Sequence, residues 1–107
     1  MHYVTRMYLG QSMPNGEQVQ PAAWEAFVSD TVASAFPNGF TMIPADGAWL
    51  GSTGFISEGT IILEVYHDGG IPARHAVRNV AVTYRQRFHQ DAVMVSTLNL
   101  SEGVQFL

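Results

Sequence analysis

An α+β domain with elements in the order strand, helix, strand, strand, helix, strand is what this sequence predicts, and three observations carry it. The stretch 47–66, GAWLGSTGFISEGTIILEVY, reads as two strands folded back on each other around Gly51-Ser52-Thr53-Gly54, a cluster of turn formers between apolar runs. Two segments, beginning at Pro21 and Pro72, carry apolar residues at helical spacing. An alternating segment opens the chain and a β-branched one lies near its end. Two right-handed crossovers around a central antiparallel pair then give a ferredoxin-like βαββαβ sandwich, an antiparallel sheet with two helices on one face.

The elements follow in order. Residues 2–9 alternate, with Tyr3, Thr5, Met7 and Leu9 on one face and Val4, Arg6 and Tyr8 on the other, and Gly10 ends the strand. Residues 11–20 form a loop in which Pro14-Asn15-Gly16 marks a tight turn. Pro21 suits a first helical turn, and Trp24, Phe27, Val28, Thr31, Val32, Ala35 and Phe36 make one apolar stripe. Pro37 and Asn38-Gly39 stop that helix at Phe36. The second strand starts over 40–43, is expected to bend or bulge at Pro44 and Asp46-Gly47, and resumes at 48–50. The third runs over 58–67 and is almost continuously apolar, as a strand covered on both faces would be. After Asp68-Gly69-Gly70, Pro72 opens the second helix, with Ala73, Val77, Val80, Ala81, Tyr84 and Phe88 as its buried stripe. Arg74, Arg78 and Arg85 line a flank of this helix and Arg87 also lies on it, so four of the five arginines belong to it. Residues 92–98 are the fourth strand, and 103–107 a short edge or extension.

With 107 residues the chain is one domain, 1–107, long enough for a single core. Charged residues make up 13%, which leaves a small domain short of polar cover. Part of its apolar surface is therefore expected to be buried between subunits. Small sandwiches of this class often close as trimers with ligand sites in the clefts between subunits, so a homotrimer is expected by analogy. Five arginines, no lysine and a net charge of −4 argue against a nucleic-acid partner. The absence of cysteine removes disulfides, thiolate zinc sites and thiol nucleophiles. There is no leader pattern and no apolar run near the length of a membrane span, so no membrane role is expected, and a cytoplasmic location is.

The residues that can carry chemistry cluster at the hairpin. Glu58 stands where the buried arm begins, and Trp49 lies on the opposite arm. Either has an ordinary alternative, a solvated carboxylate for Glu58 and a core indole for Trp49. Glu64 interrupts an apolar strand and needs a partner, first of all one of the helix arginines, or else a wet cleft. Tyr66 and Tyr84 have polar tips that need satisfying if buried and can equally touch a ligand. In the wet-cleft reading Glu64 and Tyr66 join Trp49 as substrate-binding candidates. His2, His67, His75 and His89 have no metal-ligand spacing, so no metal is expected. No nucleophile elbow, phosphate loop or dinucleotide fingerprint is present. An enzyme of this kind would work by positioning and charge, with no cofactor.

Arg6-x-Tyr8-Leu9-Gly10, Pro14-x-Gly16, Trp24-x-x-Phe27, Phe36-Pro37-x-Gly39, Gly47-x-Trp49, Gly54-x-Ile56-x-Glu58 and Tyr84-x-x-x-Phe88-x-Gln90 together resemble a small uncharacterised domain family of bacteria and phages, over nearly the whole chain. The second half also resembles the phage-encoded S-adenosylmethionine lyases, formerly called hydrolases. The similarity lies in an aromatic before a hairpin turn, Glu58 opening the next strand, an Ala/Val/Arg-rich helix ending in an aromatic, and the segment Phe88-His89-Gln90-Asp91-Ala92-Val93.

That resemblance implies cleavage of S-adenosylmethionine to methylthioadenosine and homoserine lactone, the substrate's own carboxylate attacking its Cγ and the sulfonium leaving. Proximity in a water-excluding cleft would supply the catalysis. It implies that Glu58 is the catalytic residue and holds the substrate ammonium. Trp49 would occupy a position where the lyases can carry a tyrosine, offering a face to the sulfonium. Gln90 would reach a polar edge of the ligand from the neighbouring subunit. If phage-encoded, the protein would work in the host cytoplasm. The rival reading is a non-catalytic trimeric sensor that binds an adenine nucleotide in the same clefts. A sensor usually reports through a long mobile loop, and the modest loop 11–20 favours the enzyme.

Overall fold

The computed structural model describes all residues, Met1–Leu107. In chain order they form β1 (Tyr3–Gly10), α1 (Pro21–Phe27), a π-helical turn (Val28–Val32), α2 (Ala33–Ala35), β2 (Thr41–Gly51), β3 (Gly54–His67), α3 (Ile71–Arg87) and β4 (Met94–Asn99). The pieces from α1 to α2 follow one another without a break, so the chain has two helical bodies and four strands. The strands make one antiparallel sheet in the order β2-β3-β1-β4, the ferredoxin-like arrangement.

Alternation along the two central strands decides which side is covered. Met7 and Leu9 of β1 and Leu63 and Val65 of β3 point to one face, where they meet Phe27 and Val32 from the first helical body and Val80, Ala81, Tyr84 and Phe88 from the α3 region. Trp24, Phe27, Tyr84 and Phe88 stack there edge to face or tilted, with ring centroids 4.8–6.0 Å apart. The opposite face carries Val4, Arg6 and Tyr8, with Ile62, Glu64 and Tyr66 across from them, and no helix packs on it. Tyr66, Met94 and Leu98 are exposed on that side.

Several boundaries differ from those the sequence suggests. β2 runs through Pro44 and Gly47 in unbroken register with β3, without bend or bulge. It is an edge strand, so the amide hydrogen that Pro44 lacks need not be missed by a neighbour. The π-helical turn inserts one i→i−5 bond, Ala33 N–H to Val28 C=O, and Thr31 and Val32 are both buried there. The helix ends at Ala35, one residue early, because Phe36 precedes Pro37 and takes an extended φ of −129°. β3 starts at Gly54, directly after the turn, and β4 at Met94. Residues 103–107 form no strand. No helix is long and apolar enough to cross a membrane.

The sheet is uneven, and this matters for the site. β1 pairs with β3 only from Thr60 to His67, whereas β2 and β3 stay paired out to Gly51 and Gly54. The β2–β3 hairpin therefore projects as a two-stranded arm, and the molecule measures 46 Å along its longest axis. Leu50 and Phe55 at the tip are 82% and 76% exposed. A two-stranded ribbon with bare apolar residues is marginal in water.

Candidate functional site

The site is built at the root of that arm. In the hairpin register Gly47 stands opposite Glu58 and Trp49 opposite Ile56, so Glu58 and Trp49 are diagonal neighbours on one face. Gly47 puts no side chain beside the carboxylate. Below it, β1 ends on Gly10, again without a side chain, and Glu58 Oε1 lies in the space where a Cβ of that residue would stand. Gly10 is needed as a gap rather than for an unusual backbone angle, whereas a Cβ at Gly47 would meet only the Glu58 carbonyl, at an ordinary 3.8 Å.

The other wall comes from the end of α3. Phe88 closes the helix, His89 adopts a left-handed φ of 54°, and the Gln90 N–H returns to the Arg85 carbonyl at 2.9 Å. This is a Schellman turn with a histidine where glycine is usual, a conformation costing about 1 kcal/mol. It folds Gln90 back towards β1. The Gln90 Nε2 donates to the carbonyls of Ser12 at 2.9 Å and Phe88 at 3.0 Å, which fixes the amide and leaves Oε1 free. That oxygen is 3.1 Å from the position a Cβ of Gly10 would take, the same position that Glu58 Oε1 crowds. Two acceptors thus converge on one spot with no donor of the chain between them.

Around them is a cavity of about 370 Å³, lined by Trp49, Glu58, Gln90, Ser12, Met13, Pro14, His89, Asp91 and Ala92. It has two carboxylates and no arginine, so it suits a cation. Trp49 is 49% exposed and offers an indole face at the rim. Beneath the floor, the Tyr84 hydroxyl donates to the Gly10 carbonyl at 2.6 Å and accepts from Gln11 Nε2 at 3.1 Å. Burial, and secondarily the Glu58 charge, pushes the Tyr84 phenol well above its ordinary value, so it stays a donor. No group of three or more His, Cys, Asp or Glu side chains is placed to hold a metal ion.

Three residues singled out from the sequence therefore share one cavity: Trp49, Glu58 and Gln90. Gln90 lines the cavity with Glu58 within a single chain. Glu64 and Tyr66 are not brought there, for they lie about 20 and about 26 Å further along β3 at roughly 3.3 Å per residue. The Glu64 carboxylate is bonded to Arg6 Nε at 2.9 Å, a strand partner directly opposite it on the open face and not a helix arginine. The helices lie on the other side of the sheet. Ser12, Met13, His89 and Asp91 were not singled out as site residues. Their only signals were the turn at Pro14-Asn15-Gly16 and the run from Phe88 to Val93.

A family model described as a protein of unknown function, DUF3574, matches residues 4–104. No curated protein matches the chain. Among solved structures, it is similar to a phage SAM lyase in complex with S-methyl-5'-thioadenosine, with 15% identity and a TM-score of 0.67 over 92% of this chain and 81% of that one. A phage SAM lyase in the apo state is similar to the same degree, with 16% identity and a TM-score of 0.68 over 92% of this chain and 80% of that one. At such identities the likeness is one of fold.

Proposed function

The chain belongs to the DUF3574 family of proteins of unknown function, and from the cavity at its hairpin root we propose that it is an S-adenosylmethionine lyase. The observation that carries this reading is the convergence of Glu58 Oε1 and Gln90 Oε1 over Gly10, two acceptors without a donor, in a cavity free of arginine. An ammonium group satisfies both oxygens at once, and S-adenosylmethionine carries an ammonium and a sulfonium three carbons apart. The fold shared with the phage SAM lyases supports the same reading.

In the proposed reaction Glu58 and Gln90 hold the ammonium and keep it from pairing with the substrate's own carboxylate. A carboxylate oxygen then attacks Cγ, the Cγ–S bond breaks, and its electron pair neutralises the sulfonium. The products are methylthioadenosine and homoserine lactone, and no external base or nucleophile is required. Positioning a five-membered closure is a task for which proximity alone supplies several kcal/mol. The Trp49 face attends the sulfonium. A neighbouring copy covers the exposed arm and closes the cleft against water, in a homotrimer.

The experiment is incubation of the purified protein with S-adenosylmethionine and chromatographic separation of products, beside Glu58→Gln. Methylthioadenosine and lactone from the parent chain and little from the variant are expected. Binding measured by calorimetry without turnover would replace the lyase by a sensor of adenosyl ligands. Neither binding nor turnover would end the reading. A monomeric mass by light scattering would remove the intersubunit closure.

A further inference from the structure

The five arginines are unequally employed. Arg6 pairs with Glu64 and Arg87 with Asp30, and these are the only ion pairs in the chain. Arg74, Arg78 and Arg85 have no carboxylate partner although acids outnumber them three to one, nine against three. Spaced i, i+4 and i+11, they fall within about 40° of one another on α3 and span about 16 Å. They wall a groove of about 360 Å³ between α3 and the β4 segment, whose apolar lining includes Val77, Val93 and Val95. At Arg74 and Val77 the groove continues into a second cavity, of about 340 Å³, that reaches Thr97. Together the two follow nearly the whole of β4.

β4 itself is an open edge. It pairs only with β1, and its sequence MVSTLN has no charge, proline or bulge to discourage a further strand. An exposed row of backbone donors and acceptors therefore lies beside a cationic stripe and an aliphatic floor. We propose that this edge docks an extended acidic segment of a partner protein, added as a fifth strand beside β4. Alternate side chains of such a strand are about 6.8 Å apart on one face, close to the roughly 6 Å rise between Arg74 and Arg78. Carboxylates at those positions meet the arginines, while the backbone pairs with Met94–Asn99. A compact phosphate ligand fits less well, because the cationic stripe is longer than a triphosphate and the rings of the second cavity, Tyr3 and His67, are already stacked on each other. This groove is on the helix side of the sheet and meets the Glu58 cavity only at Ala92, and the proposal does not depend on the lyase reading.

The probe is a synthetic hexapeptide of alternating glutamate and valine with blocked ends, titrated into the whole chain and followed by amide resonances and calorimetry. Expected are shifts at residues 94–99, weakening of about two- to five-fold for each of Arg74→Gln, Arg78→Gln and Arg85→Gln, and further loss with salt. All three arginines are exposed, so each variant is expected to melt with the parent chain. A lysine–valine peptide should not bind, and an acidic peptide with proline in place of valine should bind at least ten-fold more weakly. Absence of binding, indifference to the arginine variants, equal binding of the proline peptide, or a β4 edge already protected by a second copy would each overturn the proposal. So would equal competition by inorganic polyphosphate, which would reduce the stripe to an anion patch.

Discussion

Replacing Gly10 by alanine separates the stability of this fold from the use of its site. The backbone at Gly10 is ordinary strand, outside the left-handed region that Gly16, Gly39, Gly54, Gly69 and Gly103 occupy, so alanine fits it without strain. Alanine also restricts the unfolded chain, which stabilises by about 0.4–1 kcal/mol where the native angles are compatible. Against this, its Cβ would enter the space held by Glu58 Oε1 and press on Gln90 Oε1 at 3.1 Å. What must give is the end of a flexible side chain, not backbone, so the structure yields by moving the Glu58 carboxyl about 1 Å. A misplacement of about 1 Å in a positioned group can cost about 100-fold in rate. The expected outcome is a melting midpoint within about 5 °C of the parent and, on the proposed lyase reading, S-adenosylmethionine turnover reduced about 100-fold, with Glu58→Gln as the reference for loss of the charge itself. Turnover at the parental rate in a variant that melts normally would refute the role given to the Glu58–Gly10 packing. A large fall in the midpoint would show that Gly10 serves the fold instead.

Tyr84→Phe removes the donor to the Gly10 carbonyl and leaves Gln11 Nε2 with only its bond to the Leu9 carbonyl, which should cost about 1–3 kcal/mol and lower the midpoint by at least about 4 °C in thermal melts; an unchanged midpoint would mean water replaces the phenol. Burial holds the His67 imidazole below its ordinary 6.5, with Asp68 opposing and Arg74 reinforcing, and its Nδ1 accepts from the Gly69 N–H. The unfolded chain therefore binds this proton first, so His67 contributes stability above pH 6.5 that is lost as the pH falls towards its lowered folded value; His67→Gln should flatten the melting profile in that window, and a profile parallel to the parent's would contradict this. Leu50→Ser with Phe55→Ser alters residues already bare in the single chain, so monomer folding should persist while the proposed homotrimer is lost, each side chain being worth about 1.5–3 kcal/mol when buried. Light scattering reads the mass, and a trimer that survives both changes would mean the arm is not its interface.

The fold was legible because its periodicities are local. The stripe from Trp24 to Phe36 and the alternation of Met7 and Leu9 each report a face without reference to anything distant, and the structure buries Phe27, Val32, Met7 and Leu9 together. The hairpin was legible for the same reason, since Gly51 and Gly54 fix its turn and the turn fixes the register. Register alone then makes Trp49 and Glu58 diagonal neighbours, so this half of the site was contained in the local sequence. The other half was not, because it depends on where β1 ends relative to α3. Nothing in Gly10 or His89 by itself shows that a missing side chain on one strand and a left-handed turn after a helix, 79 positions later, leave two oxygens facing the same point. Glu64 illustrates the converse. Its need for a partner was plain from an apolar strand, but its partner was set by strand pairing, which places Arg6 opposite it on the face the helices do not cover. A charge on a two-faced strand must be read with the sheet order in hand, and once the order β2-β3-β1-β4 is known, Arg6 is the only arginine that can reach it without crossing the sheet.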